Sequence, residues 1–367
     1  MHVGLVVPDE IDRISGGYRY DRKLVSYLEA RGDDVDVIEI SNDPSSDEVS
    51  NDTRLSAFGR LDRPFDVLLQ DELCYRTLAE YNPEITEPGA IVTLVHLLQS
   101  GAPATEQATA NAADRIRERE RRYLESVDAA ICTSEFTRGR TLELASLPTL
   151  VAPPAGRHGG AARSAAAVKN RARTDESAPL RLVFVGNIVP RKQPIALVSA
   201  LNRLGVNWNL TVVGSHEQNP AYAKRLCERV DALGLDGRMS FRGVVEDETL
   251  ESILDRSHVL AVPSRYEGFG MVYLEAMERG VVPIGSAVGG ASEFIVDGRN
   301  GFLADPAEPD RLVDILDGLA ADRDRLAALG CAALETAAAH PTWAETMAAV
   351  GSFLDRVCAG EMAGERT

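Results

Sequence analysis

The stretch Ser264–Gly280, SRYEGFGMVYLEAMERG, places two carboxylates, Glu267 and Glu275, eight positions apart, with Phe269 between Gly268 and Gly270. The apolar run before it, HVLAVPS (His258–Ser264), reads as a buried strand. Gly268 and Gly270 allow a tight turn and the close approach of a ligand. From Met271 to Arg279 nothing breaks a helix, and Gly280 stops it. Strand, glycine turn and helix together offer unpaired N–H groups at a positive dipole end, where an anion can sit. Eight residues at a rise of about 1.5 Å span roughly 12 Å, near the separation of a nucleotide's ribose from a group beyond its diphosphate. Glu275 is then expected at ribose hydroxyls, the Phe269, Gly270 and Met271 amides at phosphate, and Glu267 at the group transferred. Two surface glutamates on an ordinary amphipathic helix would show the same spacing.

Outward from this stretch, short apolar runs alternate with helical patterns. The first half offers VGLVVP (Val3–Pro8), VDVIEI (Val35–Ile40), DVLLQD (Asp66–Asp71), AIVTLVH (Ala90–His96) and AAICTS (Ala129–Ser134). Their nearly continuous apolarity is that of strands covered on both faces. Between the first two, Tyr20, Leu24, Tyr27 and Leu28 mark one face of a helix over Tyr18–Arg31, with Gly32 as its stop. The segment Ala152–Pro179 has Pro, Gly, Ser and Ala with scattered Arg and no periodicity, which reads as a linker or mobile loop. Beyond it the alternation restarts with LRLVFVGN, NLTVVGS, SFRGVV, HVLAVPS and VPIGSAV, and a last helix is expected near Trp343–Val357. The reading is α/β, with domains at 1–153 and 180–340, a linker at 154–179 and a C-terminal helix at 341–367. Ligands of such sheets lie beyond the carboxyl ends of the strands.

Lys+Arg number 39 against 56 Asp+Glu, a net charge of −17, which would repel nucleic acid phosphates. The basic side is nearly all arginine, the lysines being Lys23, Lys169, Lys192 and Lys224; an acidic, lysine-poor surface suits a high-salt cytoplasm. Cys74, Cys132, Cys227, Cys331 and Cys358 are scattered without a C-x-x-C pair, and no H-E-x-x-H occurs, so neither disulfides nor a metal site is expected. No apolar run reaches the roughly 18 residues of a membrane span. The start reads directly as a strand, so no leader is expected, and the scattered cysteines fit a reduced, cytoplasmic setting.

EGFGMVYLE resembles the E-x7-E element of the retaining glycosyltransferases of family GT4. The resemblance holds over VPSRYEGFGMVYLEAMERGVVPIGSAVGGASEFIVDGRNGFLADP and, more weakly, over the whole chain. It implies the GT-B fold, two doubly wound Rossmann-like domains facing each other across a cleft, with the final helix crossing back onto the N-terminal domain. In FVGNIVPRKQP (Phe184–Pro194) a strand ends and a loop presents Arg191 and Lys192, two cations suited to a diphosphate. The family pattern has Gly-Arg at this strand end and a lysine where Lys192 stands; Asn187 occupies the arginine position, with Arg191 nearby to supply the charge. Gly16-Gly17 in ISGGYRYD (Ile14–Asp21) resembles the family's N-terminal Gly-Gly loop, which approaches the donor phosphate. It is not the G-x-G-x-x-G of a dinucleotide site. His96 falls where related enzymes carry a histidine beside the transferred sugar, and DAAICTSEFTR (Asp128–Arg138) puts Ser134 near the cleft.

Two other signals are set aside. The D-x-D at Asp34–Asp36 opens an early strand and is expected to face solvent. RIRERERRYLE (Arg115–Glu125) is expected as a solvated helix whose Glu118, Glu120 and Glu125 offset its arginines. The resemblance implies transfer of a hexose from a UDP- or GDP-linked donor, with retention, without metal or other cofactor. Lys192, Glu267 and His96 are the expected catalytic groups; Glu275, Gly16, Gly17, Asn187, Arg191, Phe269, Gly270 and Met271 the expected donor contacts. The acceptor (glycan, lipid or small molecule) is open, as is peripheral association with the inner membrane surface. Alternatives are a non-catalytic sugar-nucleotide-binding partner of another glycosyltransferase, or a phosphorylase or epimerase of the same fold.

Overall fold

The structure is a computed structural model describing residues 1–12, 15–40, 58–101, 110–173 and 178–362. Ile14 of the Gly-Gly loop, 174–177 of the expected linker and 363–367 of the C-terminal segment lie outside the described residues. The chain divides into two units, Met1–Pro154 with Trp343–Thr367, and Ala155–Thr342.

Unit 1 holds six parallel strands, β1 (His2–Pro8), β2 (Asp34–Ile40), β3 (Val67–Asp71), β4 (Ile91–Val95), β5 (Ala129–Cys132) and β6 (Thr149–Val151), in the order β2-β1-β3-β4-β5-β6. β1 pairs on both sides, Val3 with Val35 of β2 and with Val67 of β3. Successive side chains of a strand point to opposite faces. Val3, Leu5 and Val7 accordingly join one core with Leu24, Leu28 and Phe353, and Val6 joins another with Leu61, Phe65 and Tyr123. Burial on both faces is the reason the run reads as continuously apolar.

Helix α1 (Gly16–Arg31) begins at Ser15, whose hydroxyl accepts the Tyr18 N–H, and ends at Gly32 in the left-handed conformation. Its buried face includes Asp21 beside Tyr20, Leu24 and Leu28. Two more helices of this unit are α2 (Tyr75–Tyr81) and α3 (Ala110–Glu125). On α3, Arg121 pairs with Glu118 and Glu125 on the solvent side. Glu120 departs from the expected solvated row: it is buried and accepts the Gln99 and Ser100 N–H groups. Asp36 pairs with Arg63 at 2.7 Å at the start of β2. After β5, α4 (Glu135–Leu142) is capped by Ser134 and Thr137 in a reciprocal box.

In unit 2 the strands β7 (Leu180–Val185), β8 (Trp208–Val213), β9 (Met239–Phe241), β10 (Val259–Ala261), β11 (Val282–Ser286) and β12 (Phe302–Ala304) run in the order β12-β11-β10-β7-β8-β9. The order of connection reverses between β7 and β10, which run parallel, so the crevice beyond those two strands is the place for a ligand. The run read as a strand over 240–245 pairs only as far as Phe241.

The segment expected as a linker is instead largely part of unit 2. Residues 155–173 belong to unit 2, and Ala165–Arg173 form a helix, α5, with Val168 and Ala172 buried. Its alanine-rich sequence hides the amphipathic pattern, because small residues face both core and solvent. The Arg171 guanidinium donates to the carbonyls of Arg279, at 3.0 Å, and Gly280, tying α5 to the chain that leaves the Glu275 helix. Further helices among the described residues of unit 2 are α6 (Pro194–Leu201), α7 (Pro220–Ala232), α8 (Asp247–Arg256), α9 (Met271–Met277), α10 (Pro309–Ala321) and α11 (Arg323–Ala339). The last, α12 (Trp343–Cys358), returns to unit 1, burying Met347, Val350, Phe353, Leu354 and Val357 at helical spacing.

Candidate functional site

In unit 2 the groups gather beyond the ends of β7 and β10. The chain leaves β7 through Gly186 at φ 144°, and a Cβ there would lie 2.6 Å from Cδ and Cε of Lys192. Only glycine allows both that backbone and the lysine stem crossing it. The tight turn Pro190–Lys192 then delivers Arg191 and Lys192 together. Lys192 Nζ lies 2.9 Å from Glu267 Oε1, Arg191 Nη1 2.8 Å from Oε2, and the Ser264 hydroxyl donates to Oε1 at 2.7 Å. Arg191 also donates to the Tyr266 carbonyl at 2.7 Å. The Glu267 backbone is held by its own N–H to Val288 O and by the Gly290 N–H to its carbonyl.

Burial would raise the Glu267 carboxyl, but the Arg191 and Lys192 charges and the lysine and serine hydrogen bonds outweigh it and pull the pKa down to about 2. Burial depresses the Lys192 ammonium below its ordinary value, with Glu267 opposing. For Arg191 the attraction of Glu267 prevails over burial and raises the pKa. Two cations around one carboxylate leave one positive charge in a desolvated position, which favours an anion beside them.

Glu275 does not join this group. It is buried in α9 and pairs with Arg157, Nη2 to Oε1 at 3.2 Å. Sequence reasoning passed over Arg157 because it sits in the segment read as a linker, where no period marks an inward side chain. The Phe269 side chain is packed against Phe294 and His340, ring centroids at 4.9 and 5.6 Å, so only its backbone remains for a ligand. Gly270 stands in the left-handed conformation at φ 91° and starts α9 with no side-chain cap; Met271 follows, partly buried against the core. Asn187 is half-buried in the loop after Gly186, and its carbonyl accepts the Val189 N–H.

In unit 1 a second group lies where the strand order reverses between β1 and β3. His96 Nε2 is 3.2 Å from Oδ1 of Asp21, a wholly buried carboxylate. The His96 and Leu97 N–H groups both donate to Glu72, at 2.9 and 2.8 Å. Tyr20 meets the imidazole edge-on at 5.4 Å. Gly16 opens α1, and a Cβ at Gly17 would touch His96 Cδ2 at 3.4 Å. Burial opposes protonation of His96, but Asp21, then Asp71 and Glu72, raise its pKa to about 10. Asp71 is itself raised well above the carboxylate range by burial and by Glu72. Polar atoms of Asp21, Asp71 and His96 come within 4.8 Å of one another, close enough for a divalent cation. The Ser134 hydroxyl accepts the Thr137 N–H at 3.0 Å.

The model of the family described as glycosyl transferases group 1 matches residues 169–336. A D-inositol 3-phosphate glycosyltransferase of Xylanimonas cellulosilytica is 32% identical over 184 residues, 50% of this chain and 44% of the relative. A GDP-mannose-dependent alpha-(1-6)-phosphatidylinositol monomannoside mannosyltransferase of Mycobacterium tuberculosis is 30% identical over 251 residues, 64% of this chain and 63% of the relative. The chain thus spans less than two thirds of the length of these relatives. Among solved structures, sucrose-phosphate synthase from Thermosynechococcus elongatus superposes with a TM-score of 0.80 at 20% identity, covering 98% and 99% of the two chains. HepE of Anabaena, in complex with UDP and glucose, gives 0.74 at 17% identity over 97% and 99%. These likenesses establish the GT-B fold.

Proposed function

We propose, from the match of residues 169–336 to the glycosyl transferases group 1 family, that the chain transfers a hexose from a UDP- or GDP-linked donor with retention at the anomeric carbon. The observation that carries this reading is the group formed by partly buried Arg191 and Lys192 around buried Glu267, with its surplus positive charge, beyond β7 and β10. The barrier to transfer lies in breaking the bond from C1 to the diphosphate oxygen while positive charge grows on the sugar ring. Fixed donors and charges around the leaving group lower that barrier without reorganising. Lys192 and Arg191 neutralise the diphosphate as it departs, with the Gly16, Gly17 and Phe269–Met271 amides as further donors. Asn187, in the same loop, adds a neutral contact where an arginine would add charge. Glu267, held ionised, orients sugar hydroxyls and offsets the ring's charge, and Glu275 takes the ribose. His96, held as an imidazolium, donates to a sugar oxygen. The acceptor oxygen bonds to C1 on the face the diphosphate leaves, and its proton passes to a departing phosphate oxygen. These protein cations do the work a metal would otherwise do at the diphosphate.

The relatives' names supply the first acceptors to try, inositol phosphate and phosphatidylinositol mannosides. No described helix is long and apolar enough to cross a membrane, and a lipid acceptor would bring the protein to the inner membrane surface from the cytoplasm. The test is a panel of sugar nucleotides scored for nucleotide release with these acceptors and with cell-derived lipid and soluble fractions. Lys192→Ala should cut turnover roughly tenfold or more while the protein stays folded. Near-normal turnover in that variant removes the site assignment. Asn187, at a position where an arginine was expected, favours a second reading, a partner that binds sugar nucleotide without turning it over. Nucleotide binding with no sugar release on any acceptor is its signature.

A further inference from the structure

Arg157 is built into unit 2 with more care than a surface arginine needs. The backbone N–H groups of Arg157, His158 and Gly160 all donate to the carboxylate of Glu278, at 2.9, 3.0 and 3.3 Å. The Ala162 N–H donates to the Glu278 carbonyl at 2.6 Å. A Cβ at position 156 would lie 2.3 Å from Glu278 Oε1, so Gly156 is what lets the chain wrap this tightly. Glu275 and Glu278, three residues apart, share one face of their helical segment. The strap that holds Glu278 therefore lays the Arg157 side chain against Glu275, with both side chains only 9% exposed. Asp247, in the first turn of α8, pairs with the same guanidinium. His158 is tied in turn to Glu251 at 3.0 Å, so the strap is fastened on both sides of Arg157.

Arg157 Nε is buried and has no hydrogen-bond partner among the described residues. An unsatisfied buried N–H is costly unless a ligand completes it. A carboxylate alone only accepts hydrogen bonds; a guanidinium N–H beside it only donates. Side by side, they suit two neighbouring hydroxyls, one donating to the carboxylate and the next accepting from the N–H.

We propose that Arg157 is a specificity-determining residue of the donor site, which with Glu275 reads the vicinal diol of the ribose and so separates ribonucleoside from deoxyribonucleoside diphosphates. This rests on the reading of Glu275 as the ribose carboxylate. A site that hydrogen-bonds a hydroxyl rejects the analogue lacking it, because its own polar groups are then left buried and unpaired.

The test is equilibrium binding of UDP and GDP, and of their 2′-deoxy and 3′-deoxy forms, to the full chain by calorimetry. For the wild type, removing either hydroxyl from whichever nucleotide binds should weaken binding about tenfold or more. Arg157→Met, which keeps the apolar stem, should bind the ribonucleotide about tenfold more weakly and separate ribo from deoxy forms by less than about threefold. Arg157→Lys should recover part of the affinity, because it restores a donor without the fork. An Arg157→Met protein with wild-type affinity and wild-type discrimination overturns the proposal, provided Glu275→Ala lowers both; the strap is then structural and the ribose reading stands. If Glu275→Ala changes neither, the ribose reading itself has failed. The wild type needs no variant to decide the matter: equal affinity for ribo and deoxy forms also overturns it.

Discussion

Replacing Glu267 with glutamine removes one negative charge from a point on which a lysine and an arginine both close. The carboxyl is shifted from an ordinary 4.5 to about 2. At about 1.4 kcal/mol per pKa unit, its ionised form contributes about 3 kcal/mol to the folded state at pH 7. Because the folded pKa lies below the unfolded one, that stability is present in full above about pH 4.5 and is lost as pH falls through about 2. Linkage leaves less than half of it at pH 3. Glutamine keeps the acceptor for Ser264, and Arg191 keeps its bond to the Tyr266 carbonyl. Lys192, already depressed by burial, can relieve its isolation by releasing its proton. The expected loss for Glu267→Gln is therefore about 2–3 kcal/mol at pH 7, toward the low end for breaking a buried pair. Urea unfolding in a Trp343→Phe background leaves Trp208, wholly buried in unit 2, as the fluorescent reporter. Titrations at pH 7, 5 and 3 should show wild type and variant converging as pH falls. A difference below about 1 kcal/mol at pH 7, or one unchanged at pH 3, would refute the charge account of this site.

Gly186→Ala places a methyl group against the Lys192 stem on a backbone that disfavours it. It should cost about 1–3 kcal/mol in stability and weaken nucleotide binding in calorimetry; unaltered binding would remove the argument for the lysine's path. In unit 1, Asp21→Asn should bring the His96 pKa down from about 10 toward the ordinary histidine range, read by NMR titration of the imidazole. The raised value stabilises the fold fully below about pH 6.5 and is lost as pH rises through about 10, so the variant should lose less stability over that alkaline span. Phe353→Ala opens the core shared by α1, β1 and α12 and should cost about 3–5 kcal/mol in urea unfolding of unit 1.

The strands that carry the site were readable because they are covered on both faces and so appear as unbroken apolar runs. β6 and β12, three residues each, carry too little pattern to be seen in isolation. Lys192 and Glu267, 75 positions apart, were both singled out from their local stretches, but nothing local said that they touch. That contact depends on β7 and β10 lying side by side. Asp21 was invisible as a site residue because an aspartate on a helix's inner face looks like a break in the pattern until a histidine is found beside it. Arg157 was harder still. Its partner Glu275 lies 118 residues away, and the strap that positions it is made of backbone amides, which no side-chain pattern records.

The wrapping of residues 156–162 around Glu278 also decides where unit 2 can be separated from the rest of the chain. A fragment beginning at Leu180 would keep every strand of the sheet yet strip away the three amides that solvate a buried carboxylate. It would equally leave the Arg279 and Gly280 carbonyls without Arg171. Even a cut at residue 169, where the family match starts, falls inside α5 and discards the amides. The compact unit begins at Ala155, so the stretch that looks least like structure is the one a shorter fragment can least do without.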